Sequence, residues 1–219
     1  MSTSAPPSAE NTVSETRYLP VNRPIVLASG SATRRRMFDA AGVPVAIDPP
    51  NVDEDALKES MRADRVPPRE VADFLAELKA TKVSHRWRDA LVIGADQVLV
   101  QNDIIFDKPA DMAHARAHLQ AFRGRKHELI SAVVICENGA PVWRHIATAT
   151  LEMRPYTDEF IDAYLAAAGD VVLGSVGAYQ VEGLGLQLFN RIAGDHFTIQ
   201  GLPLLPVLDY LRIRGAIGS

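Results

Sequence analysis

At 219 residues, 47% hydrophobic and with a formal net charge of −4, the chain can fill one sizeable core or two lobes that share a cleft. The mildly acidic balance excludes a general nucleic-acid binder, which needs a broad basic surface. No apolar run is long enough to span a membrane, and the single cysteine, Cys136, excludes an internal disulfide framework and fits core packing in a reducing, cytoplasmic setting.

Residues 1–22 are rich in Ser, Thr, Pro and Glu and lack an apolar h-region, so they read as a disordered extension before a single domain over 23–219. Ile25, Val26 and Leu27, bounded by Pro24, predict a buried strand. Ala28-Ser29-Gly30-Ser31-Ala32 has no bulk, so an outside group can approach the backbone. Ser31 or Thr33 can cap the helix that follows, whose free N–H groups and dipole favour an anion. Arg34, Arg35 and Arg36 add guanidinium forks suited to phosphate oxygens. With Met37, Phe38 and Ala41 as the buried stripe, Arg34 falls on the inward side and Arg36 points away. Cations in a first helical turn oppose the dipole, so this run points to an anion site. It is neither a Walker loop nor a G-x-G-x-x-G fingerprint.

Residues 43–47 read as a strand, and Val52-Asp53-Glu54-Asp55 as an acidic loop. An amphipathic helix is expected over 68–83, with Val71, Phe74, Leu75 and Leu78 inside. On it Lys79 flanks the stripe and Lys82 lies nearly within it, both in the manner of snorkelling lysines. A strand over 90–93 ends in Gly94-Ala95-Asp96, with Val98, Leu99 and Val100 as a continuation before Gln101-Asn102-Asp103 turns back. Asp107-Lys108-Pro109 leads to a helix from about Asp111 to Phe122, on which His114 and His118 fall opposite the buried side as solvated residues. Strands over 126–136 and 142–153 flank a hairpin signal at 137–141. A helix over 157–168, a Gly-rich segment over 174–185, a short apolar turn over 186–192 and a last helix from Pro203 to about Arg214 complete an α/β chain with a mixed sheet.

Asp96 sits where α/β sheets present ligand-binding groups, with Gly94 and Ala95 leaving space beside it. A carboxylate there can bind a divalent metal or act as a base on water; a plain strand-end turn residue is the other reading. Lys108 is held beside a rigid proline, and Glu54 can complete a metal site. No Ser-His-Asp arrangement can be asserted, and Cys136 lies in a core strand. Arginines, carboxylates and lysines without a nucleophile point to metal-assisted phosphate chemistry on a nucleotide.

Together these pieces resemble the Maf family of nucleoside triphosphate pyrophosphatases. The L-A-S-x-S-P-x-R pattern stands as Leu27-Ala28-Ser29-Gly30-Ser31-Ala32-Thr33-Arg34, with Ala32 in place of proline. Val52-Asp53-Glu54, Lys79-Ala80, Gly94-Ala95-Asp96-Gln97-Val98, Lys108-Pro109 and Gly124-Arg125-Lys126-His127 follow in the family's order. So do Glu182-Gly183-Leu184-Gly185 and Gly201-Leu202-Pro203-Leu204. The resemblance implies a Maf/ITPase-like fold, an elongated mixed β-sheet flanked by helices around a central nucleotide-binding cleft, in a homodimer without nucleic-acid or membrane partners. It implies cleavage of a nucleoside triphosphate between the α and β phosphates with Mg²⁺, or Mn²⁺ or Co²⁺ in its place. Matched by motif, Asp96 activates water, while Arg34, Lys79 and Lys108 hold the triphosphate. Ser29 and Ser31 bind substrate, and Glu54 joins Asp96 at the metal. The motif favours Lys79 over Lys82.

Thr33, Gln97 and Glu182 occupy the positions that tune base choice in the family. Gln97 and Glu182 match the branch that favours 7-methyl-GTP, and Thr33 matches neither that branch nor the one favouring dTTP and UTP. A carboxylate at Glu182 can accept from guanine N1–H and N2–H₂, whereas Thr33 lacks the aromatic face that a tryptophan would offer a cationic base. Use of dTTP or UTP, and a nucleotide-sensing role in blocking cell division, are the alternatives that the resemblance leaves.

Overall fold

The structure, a computed structural model, describes residues 18–218. Apolar Ile25–Leu27 forms the fully buried strand β1, and Ser31 caps helix α1 (Ala32–Ala40), whose Met37 and Phe38 are buried. The strand expected over 43–47 is reduced to β2 (Ala46–Ile47), because Pro44 has no N–H for a ladder and the Val43 N–H bonds back to Phe38 O. The acidic stretch is not a loop: Asp53 caps helix α2 (Glu54–Ala63), with Glu54 and Asp55 in its first turn, where carboxylates suit the dipole. Leu57 and Met61 pack it onto helix α3 (Pro68–Ser84).

On α3 the buried face is Val71, Ala72, Leu75, Ala76, Ala80 and Val83, with Lys79 among them, and Phe74 is 46% exposed. Of the expected stripe, Val71 and Leu75 are buried, whereas Phe74 is exposed and Leu78 only half-buried. The cause lies in strand β3 (Leu91–Gln101), where a Cβ on Gly94 would stand 2.2 Å from Ala76 O and 2.6 Å from Ala80 N. Helix and strand meet backbone to backbone through alanines, so the bulky Phe74 is turned outward.

Strand β3 also runs unbroken through Gly94, so Asp96 stands mid-strand and not beyond its end, and the space expected beside Gly94 is filled by α3. Strand β4 (Ile104–Phe106) turns back on it, and Asp111 caps α4 (Met112–Phe122). Strands β5 (Lys126–Glu137) and β6 (Ala140–Met153) form a long hairpin through Asn138-Gly139. Thr157 caps α5 (Asp158–Ala168). After short 3₁₀ turns come strand β7 (Phe189–Ala193), which the expected apolar turn had not foreseen, a short helix α6 (His196–Ile199) and α7 (Leu204–Ile213) behind Pro203.

The strands make one mixed sheet in the order β2-β1-β3-β5-β6-β7, with β4 also on β3. One edge of β3 pairs throughout with β5, from Val92 to Val100. The other edge pairs in parallel with β1 at 91–93 and antiparallel with β4 at 99–101. Between them, residues 94–98 have no strand partner on that edge among the described residues. Leu27, Ile93, Phe38 and Leu211 fill a core on one side of this gap, and Leu99, Leu119, Leu151 and Ile161 fill another on the far side. Two lobes thus share a cleft at the gap.

Residues 1–17 of the expected extension lie outside the described residues. Residues 18–22 run along the body, with Leu19 N–H donating to Gly42 O at 2.7 Å and Val21 bridging Ile217. His114 is exposed, but His118 is half-buried, edge-on to Phe106 at 5.3 Å, and burial pushes its pKa down. Phe106 of β4 covers that face of α4, so the expectation of two solvated histidines held for His114 alone. No helix among the described residues is long and apolar enough to cross a membrane.

Candidate active site

The cleft at the β3 gap has a volume of about 540 Å³. Ser29, Ser31, Thr33, Arg34, Glu54 and Lys79 line it, together with Asp96, Gln97, Lys108 and Glu182. Every residue expected to act therefore meets at one place, from six separate parts of the chain.

Successive strand side chains alternate between faces, and β3 uses this to point Asp96 and Gln97 opposite ways. Asp96, 4% exposed, faces α3, where its Oδ1 accepts from Lys79 Nζ at 2.7 Å. Lys79 Nζ also donates to Glu54 Oε2 at 2.8 Å, so one buried ammonium is shared by two carboxylates. Asp96 Oδ2 is buried without a hydrogen-bond partner among the described residues. A buried carboxylate oxygen left unpaired by the protein is costly, and Asp96 lines the cleft that a ligand would enter. Lys82 lies exposed and donates instead to Asn51 O, so burial decides between the two lysines.

Ser31, not Thr33, caps α1, its Oγ accepting from Arg34 N at 3.3 Å. Arg34 turns inward as its helical phase requires. Its Nε donates to Gly201 O at 2.9 Å, and its Nη1 donates to Ala95 O at 2.9 Å and Ser29 Oγ at 3.1 Å. Ala95 O belongs to the unpaired edge of β3, so the guanidinium caps the gap itself. Gly201 adopts φ +95°, and a Cβ there would press to 3.3 Å from Arg34 Nη2. Nη2 has no hydrogen bond among the described residues and remains for a ligand. Burial lowers the Arg34 pKa while Asp96 and Glu54 raise it in part. Arg36 is exposed and donates to Thr33 Oγ1 at 3.0 Å.

On the opposite face, Gln97 Nε2 donates to Ser131 Oγ, Thr198 O and Ile199 O, each at 3.0 Å. Its nitrogen is committed, which leaves Oε1 as an acceptor. Glu182 is exposed at the cleft. Lys108 is exposed as well. Two further lining residues carried no readable signal. Lys58 comes from the unforeseen helix α2, and Tyr179, 4% exposed, shares a 2.7 Å hydrogen bond between its hydroxyl and His127 Nε2. Burial pushes the His127 pKa down to about 4 and raises that of Tyr179, so both are neutral near pH 7.

The order of these parts along the chain is that of one protein family, and its description, Maf-like protein, matches residues 24–213. The chain belongs to the Maf family. It is 55% identical over 190 residues to the nucleoside triphosphate pyrophosphatase of Hyphomonas neptunium, covering 87% of this chain and 96% of the relative. To the 7-methyl-GTP pyrophosphatase of Mesorhizobium japonicum it is 51% identical over 193 residues, 88% of this chain and 97% of the relative. The nucleoside triphosphate pyrophosphatase of Caulobacter vibrioides is 47% identical over 194 residues, with 89% and 97% covered.

Among the described residues no group of three or more His, Cys, Asp or Glu is placed to hold a metal. Asp96 and Glu54 form a smaller set, two carboxylates around one ammonium with Oδ2 unpartnered. One or two carboxylates together with substrate phosphates are a usual Mg²⁺ donor set, and Asp96 and Glu54 are compatible with it.

Proposed function

We propose that this Maf-family chain hydrolyses the α–β phosphate bond of a nucleoside triphosphate, giving the monophosphate and pyrophosphate. The observation that carries the reading is the buried, unpartnered Asp96 Oδ2, set in a strand gap that the cationic Arg34 caps. In this reading Asp96 Oδ2 takes the proton of the attacking water. Lys79 holds Asp96 and Glu54 in place, and Arg34 Nη2 and Lys108 neutralise the phosphate oxygens as charge shifts toward the leaving pyrophosphate. Ser29 Oγ already accepts from Arg34 and from the Ser31 N–H, so its own O–H is left to donate to phosphate, as is that of Ser31. A divalent cation, Mg²⁺ or else Mn²⁺ or Co²⁺, held by Asp96 and Glu54, would supply further charge neutralisation at the phosphates.

For the base, the reading favours a guanine of the 7-methyl-GTP kind over thymine or uracil. Gln97 Oε1 and the Glu182 carboxylate both offer acceptors, which suit the N1–H and N2–H₂ edge of guanine. The relative named 7-methyl-GTP pyrophosphatase supports the same lean. A homodimer rests on the family resemblance and is checked by sedimentation, and a cytoplasmic location rests on the single free cysteine.

Pyrophosphate release over a panel of standard and methylated nucleoside triphosphates tests the activity. Asp96→Asn should lower turnover by about a hundredfold or more with the fold retained. A folded Asp96→Asn protein with near wild-type turnover would overturn the assignment of the base.

A further inference from the structure

We infer that Lys58 is a further substrate-binding residue, gripping the pyrophosphate half of the triphosphate; this rests on the activity proposed above. Helix α2 places Glu54 and Lys58 one turn apart on the same face, and both line the cleft. Glu54 is tied to the Lys79–Asp96 pair, so Lys58 extends the same wall by one helical rise, about 6 Å, toward Lys108.

The state of its charge sets Lys58 apart. Its side chain is only 16% exposed, and its nearest carboxylate oxygen, Asp107 Oδ1, is 3.7 Å away. That is too far for a hydrogen bond, and Asp107 Oδ1 is itself buried without a hydrogen-bond partner among the described residues. Asp107 Oδ2 is taken by Arg62 at 2.8 Å. Lys79, by contrast, is satisfied by two carboxylates, and Arg34 has spent Nε and Nη1 on carbonyls and a hydroxyl. Lys58 is thus a largely buried side chain whose ammonium has no hydrogen-bond partner among the described residues and lines the cleft. The loose 3.7 Å ion pair with Asp107 leaves the donors of Lys58 without a short acceptor, and a phosphate oxygen could supply the charge-assisted hydrogen bond that Asp107 does not. Since Asp107 precedes Lys108 directly, both lysines stand at the same end of the cleft.

The test measures KM for the best triphosphate, inhibition by inorganic pyrophosphate and inhibition by the nucleoside monophosphate in wild type, Lys58→Ala and Lys58→Arg. Lys58→Ala should raise KM and the pyrophosphate inhibition constant by about tenfold each, the scale of one charged hydrogen bond. The monophosphate constant and the melting temperature should stay put, and Lys58→Arg should recover most of the loss. Pyrophosphate inhibition within twofold of wild type in Lys58→Ala, or equal weakening toward the monophosphate, would overturn the proposal. A wild-type protein inactive on every triphosphate would overturn the activity instead; calorimetric titration of pyrophosphate into wild type and Lys58→Ala still decides the role of Lys58.

Discussion

Lys79 Nζ lies 2.7 Å from Asp96 Oδ1, both side chains 6% exposed, and the pair forms the floor of the cleft. Removing one member of such a pair leaves an uncompensated buried charge, which costs about 3 kcal/mol or more. Lys79→Met should therefore destabilise the protein by about that amount in urea unfolding. Adding Asp96→Asn to Lys79→Met should recover much of the stability while turnover stays lost. Additive destabilisation in the double variant would mean that the two residues do not act as a pair.

The arginine run offers a second contrast. Arg34 reaches Gly201 O, Ala95 O and Ser29 Oγ, whereas Arg36 stays at the surface on Thr33. Arg34→Ala should lower kcat/KM by about a hundredfold, and Arg36→Ala by less than about threefold. Arg34→Lys should not rescue, because a lysine cannot span three acceptors and still present a free N–H pair to phosphate. Steady-state kinetics that rank Arg34→Ala and Arg36→Ala together would contradict the inward phase of Arg34.

That phase was legible in the sequence because Met37 and Phe38 are large and adjacent, so the buried side of α1 had one solution. The same logic misled on α3. Phe74 and Leu78 outweigh alanine on any hydrophobicity scale, yet contact with Gly94 selects Ala76 and Ala80. Asp96 was found by its glycine-alanine frame, but its place in mid-strand was not, since Gly94 reads as a break until α3 is seen to fill the space it leaves. Helix α2 was hidden by its acidic start; the Asp53 cap with Leu57 and Met61 four apart is the signal that could have found it. Lys58 has no such mark, because its lack of a short partner is a fact of three-dimensional packing.

Burial of His127 makes stability depend on pH. Its pKa falls to about 4 in the folded protein, from an unfolded value of about 6.5. Above the unfolded value neither state binds the proton. As pH drops below it, the unfolded chain takes up a proton that the folded one refuses, so stability present at neutral pH is lost down to about pH 4. The loss from this residue is about 3 kcal/mol. Urea midpoints from pH 7 to pH 4 should show the decline, and His127→Gln, less stable at pH 7, should show a flatter one. An identical slope in the variant would assign the acid sensitivity elsewhere.

The base contact gives the last expected outcome. Gln97 has only Oε1 free toward the cleft, and Glu182 stands exposed on its wall. Replacing Glu182 with glutamine removes the negative charge that, in the proposed reading, would draw a cationic 7-methylguanine and can set an amide N–H against guanine N1–H. Polar sites discriminate strongly when one partner is left unpaired. Glu182→Gln should therefore lower kcat/KM for 7-methyl-GTP or GTP by about tenfold or more relative to UTP or dTTP. The ratio of the two substrates in wild type and variant is the deciding measurement, since general damage to the cleft would lower both rates together. An unchanged ratio would remove Glu182 from base recognition, and a wild-type preference for UTP or dTTP would place the chain with the pyrimidine-favouring branch.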